Sequence, residues 1–228
     1  MAGKLYGVGV GPGDSELITL KALRVMKECQ VIGIPGSDPT KSVAYDIAKG
    51  AYPEIDNKEK LYLATPMTKD RTVVDKGYEK SAETIEKCLD EGKDVALLTL
   101  GDPTIYSTYI YIHRIVVSHG YQAEIINGIP SFCAVGAKLG DSLCDRDQKL
   151  HVIPASYQIE DALKLDGTKI LMKAASKLSD VNEVLLQNDD EAFMIENCGM
   201  TDEKIYLDKK DFPDKGSYYS IIVVKDRT

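Results

Sequence analysis

The feature that most constrains this chain is a short apolar strand running straight into a glycine-rich turn. Residues 4–10 (KLYGVGV) read as a buried strand, and GVGPGD at 9–14 turns the chain. From about Glu16 to Glu28, Leu20, Leu23 and Met26 then recur at helical spacing. A strand, a tight turn and a helix make the first half of a βαβ unit, which needs parallel partner strands and covered faces. The alternation continues. Val31 to Ile34 form a strand closed by Pro35-Gly36, residues 41–51 read as a helix, and Leu61 to Ala64 read as a strand. A long helix over about 71–91 ends at Gly92 in a C-cap role. The run DVALLTL at 94–100 is the clearest buried strand; Gly101-Asp102-Pro103 breaks it, and a helix follows to about Ser118.

Gly120 marks the expected linker, because the pattern changes after it. Strands are expected at 122–127, 149–154, 168–173, 192–196, 203–207 and 218–225, and helices near 131–138, 158–165 and 176–188. The last strands follow one another with only turns between them, as antiparallel or mixed pairing requires. The expected architecture is therefore two α/β lobes, residues 1–119 with a mainly parallel sheet and residues 120–228 with a mixed one. The active site is expected in the cleft between them.

Composition narrows the function. With 28 Lys and Arg against 36 Asp and Glu, the net charge is −8, and no basic run exceeds Lys209-Lys210. That argues against nucleic-acid binding, which needs clustered cations. No apolar run approaches the ~20 residues that span a bilayer, so no membrane association is expected. Met1-Ala2-Gly3-Lys4 leads directly into a strand, so no secretory leader is expected either. The five cysteines, Cys29, Cys88, Cys133, Cys144 and Cys198, are scattered and never spaced C-x-x-C. They read as buried thiols in a reducing cytoplasm rather than a disulfide framework or metal site. His113, His119 and His151 also lack metal-ligand spacing, so no protein-bound metal is expected.

Three segments can carry chemistry. In the first, Gly7, Gly9, Gly11 and Gly13 alternate, but a dinucleotide fingerprint fails in both registers, at Pro12 and at Asp14. The turn is either purely structural or a backbone wall that a ligand can approach closely. The second, TLGDPTIYST at 99–108, lies at the carboxyl end of the best strand, where ligands of open α/β sheets bind. Asp102 and Thr104 either cap the next helix or belong to a rigid loop that grips a polar small molecule. The third, INGIPS at 126–131, is again a strand, a turn and a helix of small residues, placed at the start of the second lobe. Nothing resembles a Ser-His-Asp set, an H-E-x-x-H helix or a carboxylate pair. Positioning a reactive cofactor fits that absence better than acid–base hydrolysis.

In this order and spacing the segments resemble the tetrapyrrole (corrin/porphyrin) methyltransferases. GVGPGD at 9–14, LITLKAL at 17–23, LGDPTIYST at 100–108, GIPSFCA at 128–134, ILMKAAS at 170–176 and ENCGMTDEKIY at 196–206 carry the likeness over essentially the whole chain. The resemblance implies S-adenosylmethionine as methyl donor, a tetrapyrrole substrate and a homodimer. Thr65-Pro66-Met67-Thr68, Tyr106-Ser107-Thr108 and Ile129-Pro130-Ser131 look most like the branch that methylates C20 of precorrin-2 or cobalt-factor II in cobalamin biosynthesis. Pro35 stands where the uroporphyrinogen branch has an aspartate, so no proton-acceptor role falls there.

Carried over residue by residue, the donor site takes in Pro12, Gly101, Asp102, Pro103, Tyr106, Ser131, Phe132, Met172 and Cys198, the last where relatives often have glycine. Asp102 and Tyr106 are the catalytic candidates, with His113 a further candidate for taking up the C20 proton. Asp14, Met67, Lys69 and Arg71 are the substrate-binding candidates; the two cations would offset the substrate carboxylates on an otherwise acidic protein. Any cobalt is expected to arrive within the ring. Tyr109, Tyr111 and Ile112 are candidates for the dimer interface. Two other readings stay open: a methylase of the same fold acting on protein, as diphthine synthase does, and a module that binds a nucleotide or tetrapyrrole without turnover.

Overall fold

The computed structural model of the chain describes residues 1–36, 41–64, 66, 68, 70–155 and 159–226. Two compact units result, Met1–Pro130 and Ser131–Thr228.

The first unit holds β1 (Lys4–Gly9), α1 (Leu20–Glu28), β2 (Val31–Pro35), α2 (Val43–Ala51), β3 (Glu59–Leu63), α3 (Arg71–Asp90), β4 (Val95–Thr99), α4 (Tyr109–Ser118) and β5 (Gln122–Ile126). The strands form one sheet in the order β3-β2-β4-β1-β5, every pair parallel. Alternate side chains leave opposite faces of a strand, and both faces here are apolar. Val8, Ile32, Ile34, Ala96 and Leu98 pack with Ala22, Val25 and Met26 of α1 and Ala44, Ile47 and Ala48 of α2. Leu5, Val31, Val95 and Leu97 pack on the other side with Ala82, Ile85 and Leu89 of α3 and Tyr109, Ile112 and Val116 of α4. The long helix ends at Gly92 as expected. Gly92 takes φ +78°, its N–H donates to the Leu89 carbonyl (2.9 Å), and the Lys93 N–H donates to that of Cys88 (3.1 Å). This pair of bonds satisfies the last carbonyls of the helix.

The second unit holds α5 (Ser131–Leu139), β6 (Leu150–Pro154), α6 (Glu160–Leu163), β7 (Thr168–Met172), α7 (Leu178–Leu186), β8 (Glu191–Glu196), β9 (Lys204–Tyr206) and β10 (Ser220–Lys225). Its sheet runs β6-β7-β10-β8-β9; β6 and β7 are parallel, and every other pair is antiparallel. Leu171, Ala192, Met194, Ile222 and Val224 share a core with Leu163 of α6 and Leu178, Val181 and Leu185 of α7.

Three expectations are corrected. The boundary falls at Pro130/Ser131 rather than after residue 119, because β5 adds beside β1 in the first sheet, with Lys4 opposite Gln122 and Val8 opposite Ile126. Cys133 and Cys144 are exposed, while Cys29, Cys88 and Cys198 are buried. Tyr109 and Ile112 belong to the first unit's own core, so neither side chain is presented to a second chain. Tyr111 is half exposed and stacks on Tyr78, with ring centroids 5.2 Å apart.

Candidate functional site

The three segments that the sequence singles out follow β1, β4 and β5, and these strands are neighbours in the order β4-β1-β5. All run parallel, so their carboxyl ends open on one edge, where open α/β sheets bind ligands. The loops meet backbone to backbone. The Val10 N–H donates to the Thr99 carbonyl (2.9 Å), and Gly11 and Gly101 each donate to the other's carbonyl (3.3 and 2.7 Å). A Cβ on Gly9 would lie 2.5 Å from the Gly128 nitrogen, and one on Gly128 would lie 2.2 Å from the Gly101 oxygen. No side chain fits at either place. Gly11 (φ +82°) and Gly101 (φ +69°) also take left-handed backbone that favours glycine.

Asp102 ties two of these loops together and is only 5% exposed. Its Oδ1 accepts from the Thr104 amide (2.8 Å) and hydroxyl, which closes the turn within its own loop. Its Oδ2 accepts from the Asn127 side-chain amide and the Gly128 N–H, each at 3.1 Å, which reaches across to the loop after β5. Burial pushes the carboxyl up, but the hydrogen bonds from Thr104, Asn127 and Gly128 outweigh it and hold Asp102 below the usual aspartate value. Asp102 and Thr104 therefore do not cap a helix. The helix starts later, at Tyr109, whose N–H donates to the Ser107 hydroxyl (3.1 Å). The delay follows from left-handed backbone at Gly101 and at Tyr106 (φ +48°), which leaves the Tyr106 side chain half exposed.

Pro12 and Pro103 are buried in their turns. Asp14 is exposed and caps a short 3-10 turn over Ser15–Leu17, accepting from the Glu16 N–H (2.9 Å). Thr19 caps α1 through the Ala22 N–H (3.1 Å), and its hydroxyl donates to the Asn127 carbonyl (3.3 Å). Among the substrate candidates, Met67 and Lys69 lie outside the described residues. Arg71 is exposed in the first turn of α3, which Asp70 caps through the Thr72 N–H (2.9 Å). His113 sits away from the loops, against Tyr109, whose hydroxyl lies 2.8 Å from its Nδ1 and whose ring covers Gly7 in mid-strand. Burial, with Arg114 beside it, lowers its pKa.

In the second unit, Met172 opposes Ile221 and Glu196 opposes Ser220, so Met172 and Cys198 emerge at the same end of the sheet, on either side of β10. Ser131 opens α5, with Phe132 buried behind it. Burial pushes the Cys198 thiol up to about 11. The loop that carries Cys198 is held by side chains. The Glu196 carboxylate, 4% exposed, accepts from the Ser217 N–H (2.9 Å), and the Ser217 hydroxyl donates to Asn197 Oδ1 (2.5 Å). The Asn197 amide donates to Asp202 Oδ2 (2.7 Å), and the Gly199 N–H to Glu203 (2.7 Å). Asn197 itself takes left-handed backbone, φ +52°.

Among the described residues, no group of three or more His, Cys, Asp or Glu could hold a metal ion, and no helix is long and apolar enough to cross a membrane. What the first edge offers chemically is fixed backbone polar groups around one buried anion. The family model of the Tetrapyrrole (Corrin/Porphyrin) Methylases matches residues 4–211, through both units. The chain belongs to this family. Among methylases of this kind it is 37% identical over 227 residues to a probable cobalt-precorrin-2 C(20)-methyltransferase of Methanocaldococcus jannaschii, covering 97% of this chain and 96% of the relative. It is 27% identical over 239 residues to a precorrin-2 C(20)-methyltransferase of Sinorhizobium sp, covering 99% and 97%. A uroporphyrin-III C-methyltransferase of Thermus thermophilus, solved with S-adenosylhomocysteine, superimposes with a TM-score of 0.69 at 19% identity, over 98% of this chain and 97% of that one.

The methylase motifs account for the residues carried over from sequence, but they assign no role to the side chains that hold those residues in place. Glu196 and Asn197 lie inside ENCGMTDEKIY and Asn127 inside INGIPS without a role of their own, and Ser217 lies outside every quoted segment. Two of them had a signal. Glu196 is an acidic residue closing the apolar run AFMI, where a buried charge requires partners, and Asn127 sits directly before the close-packed Gly128.

Proposed function

We propose that this methylase transfers the methyl group of S-adenosylmethionine to C20 of precorrin-2 or of its cobalt-bearing counterpart, cobalt-factor II. The observation that carries the reading is the likeness to a C20-methyltransferase along nearly the whole length of both chains. The edge formed by the β1, β4 and β5 loops supports it, because methyl transfer from a sulfonium requires alignment rather than a protein nucleophile.

When bound, the donor supplies an electrophilic methyl with its own neutral leaving group: the S–CH₃ bond breaks as the C20–CH₃ bond forms, and C20 then gives up its proton to solvent water. The chain's part is to hold the reactants in line, which lowers such a barrier by up to ~7–11 kcal/mol. The donor fits an edge built in this way. Gly11 and Gly101 carry no side chain, so a ligand can approach this backbone closely, and the bonds between them, with Pro12 and Pro103, stiffen the turns. Tyr106 contributes a half-exposed phenol beside that backbone. Ser131, Phe132, Met172 and Cys198 are the second unit's contribution in the same reading. Asp102 acts as a positioning residue: both carboxylate oxygens already accept hydrogen bonds and its pKa is lowered, so it holds the loops and takes up a proton poorly. Arg71 and Lys69 are assigned to the substrate carboxylates in the same reading. A homodimer and a cytoplasmic setting belong to the same reading.

The test is incubation of the purified chain with labelled S-adenosylmethionine and the dimethylated ring, metal-free and cobalt-loaded. Label in the pigment with either ring is the expected result. Donor binding with no label in either ring would favour a binding module, and label in protein would favour a protein methylase.

A further inference from the structure

The loop after β5 is held to the loop after β4 by very few groups. Oδ1 of Asp102 is committed within its own loop to Thr104, so Oδ2 supplies the bond across, accepting from the Asn127 amide and the Gly128 N–H at 3.1 Å each. Asn127 also reaches the other way. Its carbonyl accepts from the hydroxyl of Thr19, the residue that caps α1. Through its backbone carbonyl on one side and its side-chain amide on the other, one residue thus connects all three loops of the edge, at the place where Gly9 and Gly128 leave no room for a side chain against Gly101. The Asn127 amide is neutral and donates; a carboxylate at the same place would meet Asp102 as a second anion.

We propose that Asn127 is a positioning residue of the donor site, and that its side-chain amide, bonded to Asp102, keeps the loops after β4 and β5 in the arrangement that binds the adenosyl donor. This rests on the donor assignment above. The amide does not touch the reacting atoms; it acts through Asp102 and the backbone of Gly101 and Gly128. An ionised carboxylate cannot replace the amide here, because two carboxylates this close do not both ionise without one being pushed to a much higher pKa. The groups facing Asp102 Oδ2 are the Asn127 amide and the Gly128 N–H, and Thr104 faces Oδ1; among the described residues no charged group makes a hydrogen bond to the carboxylate.

The test is S-adenosylhomocysteine binding by calorimetry to the full chain, as wild type, Asn127→Asp and Asn127→Ala, across a pH series. Asn127→Asp is expected to lose roughly tenfold or more in affinity at about pH 8, where both carboxylates are charged, and to regain most of it toward about pH 5.5, where one holds a proton and donates. Asn127→Ala, which has no donor at any pH, is expected to lose about fivefold throughout, with the wild type flat over the same range. Should Asn127→Asp unfold at high pH, Asn127→Ala decides: a loss supports the proposal and unchanged affinity overturns it. Asn127→Asp binding within about twofold of wild type at pH 8, or losing affinity equally at every pH, would also overturn it. A wild type that fails to bind the nucleoside defeats the donor reading itself, an outcome separate from a wild type that binds while both variants match it.

Discussion

The two units build the edges that carry their candidate site residues by different means. At the carboxyl edge of the parallel sheet, three backbones touch through Gly9, Gly101 and Gly128, and one buried carboxylate, Asp102, joins two of the loops. At the end of the mixed sheet, the Asn197 N–H donates to the Tyr219 carbonyl (3.3 Å), and the side chains of Glu196, Asn197 and Ser217 supply further bonds between the loop after β8 and the segment before β10. The difference follows from topology. Adjacent parallel strands release their loops side by side in one direction, so backbone can approach backbone. Antiparallel neighbours bring the end of one strand to the start of the next, and here buried polar side chains bridge the two. The first design is intolerant of added volume, and the second of lost hydrogen bonds.

Variants break this comparison in order of effect. Gly128→Ala puts a methyl 2.2 Å from the Gly101 oxygen and is expected to cost about 3 kcal/mol, read by denaturant unfolding, with donor binding lost. A fully stable variant would show that the loops do not pack as described. Asp102→Ala strips the acceptor from the Thr104 and Gly128 amides and is expected to cost roughly 2–3 kcal/mol near neutral pH. Because the folded-state pKa of Asp102 is lowered, its stabilisation is present above the unfolded value of about 3.9 and is lost as pH falls through the folded value. The stability gap between wild type and Asp102→Asn is therefore expected to narrow in acid; a gap that widens there would contradict the assignment. Glu196→Ala is expected to cost about 1–2 kcal/mol and to loosen the 196–203 loop, seen as faster amide exchange at Gly199. Arg71→Ala is expected to stay within about 0.5 kcal/mol in stability and to leave S-adenosylhomocysteine binding unchanged, while raising KM for the tetrapyrrole.

The same contrast explains what the sequence disclosed. Strand–helix alternation placed every strand of both sheets within a residue or two, because apolar runs bounded by Gly and Pro are local signals. The glycine-rich turns were legible as special, since Gly11 and Gly101 need φ values that other residues resist. What sequence did not disclose was partnership. The segment 122–126 reads identically whether it pairs with β1 or with a later strand, so the boundary was placed at Gly120 instead of Pro130. Tyr109 and Ile112 read as candidates for a dimer interface, and only the packing of α4 on the sheet shows them buried. Asp102 read as a helix cap or a ligand contact, because its bond to Gly128 spans 26 residues and leaves no local trace.

The most direct test of the account is where the methyl group goes. Turnover with ¹³C-methyl S-adenosylmethionine and the dimethylated ring, followed by carbon NMR of the product, is expected to give one new methyl resonance coupled to a meso carbon at C20. Label on a different ring carbon, or none in the ring while the donor is consumed, would contradict it.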